Sequence, residues 1–386
     1  MLTCQKDQFD LPESVTYLNG AYMSPLLKKV ADVGRQGLDR KRQPFRIFTE
    51  DFFAPVDAVK QSYARLINAP DWERIAINPS VSYGMANVRA NIKVPKGKKN
   101  IVMAGGQFPS NYYPWKRLAK EHQLDLCLIN APKKLEGRGA LWNEQLLEAI
   151  TDETLLVAIG HIHWTDGTLF DLETIGQQCR KKGALLIIDG TQSVGALPFD
   201  LEKIRPDALI CAAYKWLMGP YSIGLSYFGA YFDQGIPIED SWMNRIHSDD
   251  FKNLVNYQEQ YRSKAARYAI GEQSNFMAIP MLKVAIDQLL EWGVNNIQDY
   301  CRRLIQSSTE TLANMGCHIE HPAYRAAHLF GFRVPEGFDM IAFQEKLKAK
   351  QIFVSLRGEA IRVSPSVYNE ARDFDRLLAC LRETMN

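Results

Sequence analysis

The sequence predicts an α/β protein, with a large domain on a mostly parallel, seven-stranded sheet and a smaller α+β domain. Two observations carry this. From about residue 74 to 228, short apolar runs alternate with amphipathic ones, and the apolar runs are near-continuous, as in strands covered on both faces. Beyond about residue 277 the texture changes to long helical patterns and short strand pairs. The length of 386 residues fits two units, since one core rarely serves so many.

The strand candidates, in order, are 74–78, 100–104, 125–130, 155–160, 184–189, 208–211 and 223–228. Helical periodicity fills most of the intervals, as at 111–121, 143–150 and 172–182. After Pro280 a long helix is expected from 281 onward, and a second over 297–315. Then come a strand at 327–334, a helix at 340–350, a strand pair within 351–363 and a terminal helix from 370 to 384. Ligands of such sheets bind beyond the carboxyl ends of the strands, and Asp189 ends one of them.

Composition narrows the function classes. Hydrophobic residues make up 46% and charged residues 23%, as in an ordinary globular enzyme. The 46 basic and 44 acidic side chains leave a net charge of +2, which offers no electrostatic case for a nucleic-acid partner. The basic run from Lys93 to Lys99 reads as a solvated loop. No apolar run approaches the roughly 20 residues of a membrane span, and the N-terminus has no signal-peptide core. The 7 cysteines are scattered with no Cys-x-x-Cys pair. Reduced thiols in a cytoplasm are expected, with no structural metal.

The chemistry concentrates in two segments. Ile187-Ile188-Asp189-Gly190-Thr191-Gln192-Ser193-Val194-Gly195 puts an acid at the end of an apolar strand. Ala212-Ala213-Tyr214-Lys215-Trp216-Leu217-Met218-Gly219-Pro220 puts a lysine among apolar and aromatic neighbours. Apolar surroundings lower a lysine's pKa and make its amine nucleophilic. A buried acid must be paired. Pyridoxal 5'-phosphate (PLP) needs both: a lysine for a Schiff base with its aldehyde, and a carboxylate that keeps the pyridine nitrogen protonated. Phosphate needs the backbone amides of a helix N-terminus. Ile77-Asn78-Pro79-Ser80-Val81-Ser82-Tyr83-Gly84 follows a strand and opens a helical stretch, so Ser80, Val81 and Ser82 are the candidates.

These segments resemble the class V, cysteine-desulfurase-like aminotransferase family of PLP enzymes, fold type I. The resemblance covers nearly the whole chain. It implies a large PLP-binding domain over 26–276, a small domain from 1–25 and 277–386, and a homodimer with sites at the interface. It assigns Lys215 to the cofactor aldehyde, Asp189 to the pyridine nitrogen and Gln192 to the phenolic oxygen. Phe108 in Gln107-Phe108-Pro109-Ser110 takes the place of the ring that stacks on the cofactor. Phe108, together with Tyr214 before the lysine, resembles kynureninases; most relatives carry histidine at both places. Kynureninases usually have histidine where Gln192 stands.

Arg362, Ser364, Tyr368 and Asn369 match the family's arginine-x-serine-x-x-x-tyrosine-asparagine motif, which makes Arg362 the binder of a substrate α-carboxylate; Arg357 is the alternative. Asn19 and Tyr22, in Tyr17-Leu18-Asn19-Gly20-Ala21-Tyr22, are implied to border the substrate. His161 and Trp164, in Gly160-His161-Ile162-His163-Trp164, are candidates for the same pocket. Gln273 or Ser274 is implied to reach the partner subunit's phosphate, because Glu272 stands where the family has threonine and an acid repels phosphate. Desulfurases need a mobile cysteine shortly before the arginine motif, and 351–362 holds none. The substrate is expected to be an amino acid. Aminotransferase is the favoured reaction, with a kynureninase-like lyase or hydrolase, or an amino-acid epimerase, as alternatives. A catalytically silent scaffold is the non-enzymatic reading, and the joint presence of Lys215, Asp189 and Arg362 argues against it.

Overall fold

A computed structural model describes residues 1–385. The chain enters through a short strand, β1 (Thr16–Tyr17), and two helices, α1 (Lys28–Lys41) and α2 (Ala54–Leu66). Seven strands then form one sheet: β2 (Ile75–Asn78), β3 (Asn100–Ala104), β4 (Asp125–Ile129), β5 (Thr154–Gly160), β6 (Leu185–Asp189), β7 (Ala208–Ala212) and β8 (Gly224–Phe228). Helices α3 (Val81–Ala90), α4 (Tyr113–His122), α5 (Arg138–Ala149), α6 (Leu172–Lys182) and α7 (Leu201–Ile204) connect them. Two long helices follow, α8 (Ala278–Trp292) and α9 (Val294–Asn314). The rest comprises β9 (His318–Ile319), β10 (Phe330–Arg333), α10 (Met340–Ala349), β11 (Ile352–Phe353), β12 (Ser355–Arg357), β13 (Ala360–Val363) and α11 (Ala371–Met385).

The large sheet runs β2-β8-β7-β6-β5-β3-β4, parallel except for β8, which is antiparallel to both neighbours. This is the mostly parallel, seven-stranded sheet the sequence predicts. β5 is buried at every position because helices cover both faces, which is why its sequence is a continuous apolar run. Local signals set the helix ends. Asp171 accepts from the Thr174 amide to cap α6 at its start, and Gly183 closes it in the left-handed conformation.

Elsewhere the expected boundaries move. α5 begins at Arg138 rather than 143. α8 begins two residues before Pro280, whose missing N–H has no partner to lose in a first turn. The strand expected at 327–334 contracts to Phe330–Arg333. Helices α1 and α2 and the stretch of 3-10 turns between β8 and α8 were not expected.

β9, β10, β12 and β13 form a separate antiparallel sheet. β1 pairs in parallel with β11, which joins the N-terminal segment to the C-terminal unit. α8 packs on α1 and α2. No helix among the described residues is long and apolar enough to cross a membrane.

Register fixes what meets at the carboxyl edge of the large sheet. Gly160 pairs with Asp189, and Asp189 with Ile210, so the chain leaves β5, β6 and β7 side by side. β3 ends beside them. Gly195, at φ +100°, lets the turn after β6 touch the Trp216 backbone, where a Cβ would collide.

A candidate cofactor and substrate site at the carboxyl edge of the sheet

A cavity of about 360 Å³ opens at that edge, within the roughly 300–1,000 Å³ usual for small-molecule sites. Its walls include nine of the residues singled out from sequence: Ser80, Val81, Ser82, Phe108, Trp164, Asp189, Gln192, Tyr214 and Lys215.

Lys215 is buried. Its ammonium lies 5.6 Å from the Phe108 ring centroid and 5.5 Å from that of Tyr214. Burial pushes its pKa down to about 8; Asp189 opposes this shift and the Arg362 charge adds to it. Asp189 accepts a 3.0 Å hydrogen bond from the Thr191 amide. Burial raises the Asp189 pKa against the pull of Thr191 and Lys215. A carboxyl in that condition is suited to a cationic ring nitrogen that would stabilise its charged form.

Ser80 is the N-cap of α3, its hydroxyl accepting from the Tyr83 amide at 3.2 Å. The first-turn amides of Val81 and Ser82 have no intrahelical partner. The Ser82 hydroxyl donates to Ser110 at 3.0 Å, so two hydroxyls and a helix N-terminus face the cavity together. That group suits a phosphate. Phe108 is 39% exposed and meets Trp164 edge-on at 5.4 Å, which leaves its face towards Lys215. The residues thus fit PLP: an amine, an acid, a flat ring and an anion cradle lie around one cavity.

Arg362 stands beside this group, 1% exposed. It donates to the Trp164 carbonyl at 2.7 Å and to the Ser355 hydroxyl at 3.3 Å, and its buried Nε has no partner. Burial pulls its pKa down to about 9, helped by the nearby Arg357. A buried guanidinium held only by neutral oxygens is a site for an anion. Asn19 supports it indirectly by accepting from the Ser355 hydroxyl at 2.7 Å.

Other expected residues lie differently. Gln192 reaches the cavity, but its amide donates to the Ala21 carbonyl at 3.1 Å and its oxygen accepts from Trp216 at 3.0 Å. His161 does not line this cavity. It faces a separate one with Leu169, Asp171 and Phe199, and burial drives its pKa down to about 3. A residue just beyond a buried strand can face either side of the sheet edge, and His161 turns to the far side. Tyr22 is 56% exposed and outside the cavity walls. Gln273 and Ser274 are buried beyond those walls, with the Gln273 Oε1 unpartnered, while Glu272 is exposed.

Sequence reasoning missed the support for the 161–168 turn. Asp166 is buried and pairs with Arg138 at 2.8 Å and Arg333 at 3.3 Å. Burial alone would raise its pKa, but His163, Arg138 and the Thr168 amide hold it far below the usual carboxylate range. His163 also contacts the Gly105 carbonyl at 3.0 Å, and Trp164 donates to the Gly106 carbonyl at 2.7 Å. This turn carries the carbonyl that holds Arg362. No signal in the sequence joins Arg138, Asp166 and Arg333, which meet only in the fold.

Residues 43–377 match the family Aminotransferase class-V. The chain belongs to that family of PLP-dependent enzymes. It is similar to an uncharacterized aminotransferase, YcbU, of Bacillus subtilis, 26% identical over 80% of this chain and 78% of that protein. It is also 26% identical to a kynureninase of Cryptococcus neoformans, over 82% of this chain and 68% of that protein. Isopenicillin N epimerase of Amycolatopsis lactamdurans and a probable cysteine desulfurase of Pyrococcus abyssi are further relatives. A solved structure of a C-DES mutant with glycine covalently linked to its PLP cofactor shares the fold, at a TM-score of 0.85 and 17% identity over 99% of this chain and 100% of that one.

Proposed function

We propose that this class V enzyme is an aminotransferase of amino acids. The observation that carries the reading is the position of Lys215: a depressed, buried amine on one cavity with Phe108, Asp189 and the α3 N-terminus, near the unpaired Arg362. PLP, when bound, supplies an aldehyde carbon for amines and a ring that accepts electrons from the substrate. Ser80, Val81 and Ser82 hold its phosphate, Phe108 covers its ring and Asp189 keeps its nitrogen protonated. Gln192 retains one amide hydrogen beyond the bond to Ala21 and would offer it to the phenolic oxygen. Tyr214 walls the site next to the lysine. Lys215 would anchor the cofactor, and its amine would carry the proton to and from the substrate α-carbon. Arg362, braced by Asn19 through Ser355, fixes the α-carboxylate, and Trp164 shapes the wall beside it.

Two features favour a second reading, a kynureninase-like hydrolase: Phe108 and Tyr214 in the cavity, and the kynureninase among the relatives. Gln192 weighs against it. Desulfurase chemistry is disfavoured despite the desulfurase among the relatives, because no cysteine lines the cavity or lies within 351–362. We also propose a cytoplasmic homodimer divided into domains at residues 26 and 276, with Gln273 and Ser274 turned towards a partner.

The test is the absorbance of the PLP-loaded protein during single-turnover addition of amino acids, with products identified by mass. Transamination predicts a stable pyridoxamine form that a 2-oxo acid reverses. Spontaneous return of the starting spectrum with a cleaved product would favour the hydrolase, and with an inverted product the epimerase. No change in the PLP spectrum on mixing with the protein would sink every PLP reading.

A further inference from the structure

Arg362 is not the only guanidinium without an acid. Arg357 lies on the same β-hairpin, where Ser355 pairs with Arg362 and Arg357 with Ala360. Side chains two residues apart share a face, so Arg357 and Arg362 are diagonal neighbours on one side of it. Like charges so placed repel each other. No acid among the described residues pairs with them: Arg357 donates to the Leu356 carbonyl at 2.9 Å, Arg362 bonds only to neutral oxygens, and each keeps a buried Nε without a partner. Glu359, in the turn between them, is exposed and makes no ion pair. The Arg357 guanidinium lies 5.6 Å over the Trp164 ring, and Trp164 is a wall of the Lys215 cavity. The charge of Arg357 also bears on both Arg362 and Lys215.

We propose that the substrate is an amino acid whose side chain ends in an anionic group, and that Arg357 determines this specificity by binding that group while Arg362 takes the α-carboxylate. The inference rests on the PLP reading above. Two anions on one ligand answer two unpaired cations on one face, and Trp164 flanks the link between them. A charge-assisted, bidentate contact to Arg357 favours an acidic side chain over its neutral isostere by roughly 10- to 100-fold.

The experiment has two arms. The PLP-loaded protein is titrated with L-glutamate, L-glutamine, O-phospho-L-serine and L-serine, with binding read from cofactor absorbance. The cofactor-free protein is titrated calorimetrically with glutarate and with its monoamide. The acidic member of each pair is expected to bind roughly 10- to 100-fold more tightly. Whether glutamate or phosphoserine binds better tells carboxylate from phosphate. Arg357→Gln should collapse the glutamate-to-glutamine ratio to within about threefold, and Arg357→Lys should recover part of it as a point charge. Equal binding of glutamate and glutamine by the unaltered protein would overturn the proposal, as would an Arg357→Gln variant that keeps the full ratio. If Arg357→Gln fails to fold, the unaltered protein and Arg357→Lys decide. A glutarate preference without any PLP spectrum would sink the PLP reading and leave the arginine pair. A PLP spectrum without acidic preference would sink this inference alone.

Discussion

Lys215 sits at about pH 8 because burial disfavours its ammonium more than Asp189 favours it. The reactive form is the neutral amine. The rate of PLP capture should therefore rise with pH up to about 8 and level off above it, as a stopped-flow pH series would record. A flat profile from pH 6 to 9 would contradict the assignment. Lys215→Ala should abolish the covalent cofactor spectrum and lower turnover by several orders of magnitude; an unchanged spectrum would remove Lys215 from its role. Lys215 and Asp189 were legible as candidates because each puts a charged type in an apolar or strand-end context that demands a reason, and Arg362 because it stands in the motif that resembles the class V family's. The exposed Tyr22 and the averted His161 were not, since periodicity places a residue at an edge without saying which way it turns. Ser355 was invisible as a support because Asn19, which accepts from its hydroxyl, comes from the distant N-terminal segment.

The turn from 161 to 168 works as a positioning element. Asp166 ties it to α5 through Arg138 and to β10 through Arg333, and its Trp164 carbonyl holds Arg362. Asp166→Asn would leave two arginines short of their charge partner and should cost about 3–5 kcal/mol of stability. It should also raise the KM for amino acid more than it lowers kcat. A variant with normal KM would separate this turn from the substrate site. At the start of α3, Ser80→Ala removes a cap worth about 1 kcal/mol and one hydroxyl from the cradle, so PLP affinity should fall while the PLP-loaded rate changes little. Equilibrium dialysis of the cofactor measures this. The strands of the large sheet were legible because both-face burial writes them as unbroken apolar runs, as in β5. α1 was not, since its buried positions are only Val30, Gly34 and Gly37, and two glycines give no hydrophobic stripe. The 3-10 turns between β8 and α8 carry no periodicity at all.

At the scale of the whole molecule, the sheet gathers charges that the chain alone leaves uncompensated. Lys215 is held near 8 against an ordinary 10.5, Arg362 is buried on neutral oxygens, and Asp189 is driven up by burial. For Lys215 the sign is clear. Its pKa is depressed on folding, so the unfolded chain binds more protons between about pH 8 and 10.5. The cost, about 3 kcal/mol, is full below pH 8 and fades as pH rises through that window. PLP bound at Lys215 as proposed would remove the cost by consuming the amine, and Asp189 and the start of α3 would then meet a cationic ring and a phosphate. Ligand at a hundred times its Kd adds about 2.7 kcal/mol from mass action. The melting temperature at pH 7 should therefore rise by several degrees on saturation with PLP. The gain should shrink in Lys215→Ala, where the cofactor has no covalent anchor and the buried ammonium is already gone. Differential scanning calorimetry of both proteins, with and without PLP, reads the two quantities together. An equal gain in both would mean that PLP binds through its phosphate alone and that the central charge cluster plays no part in holding it.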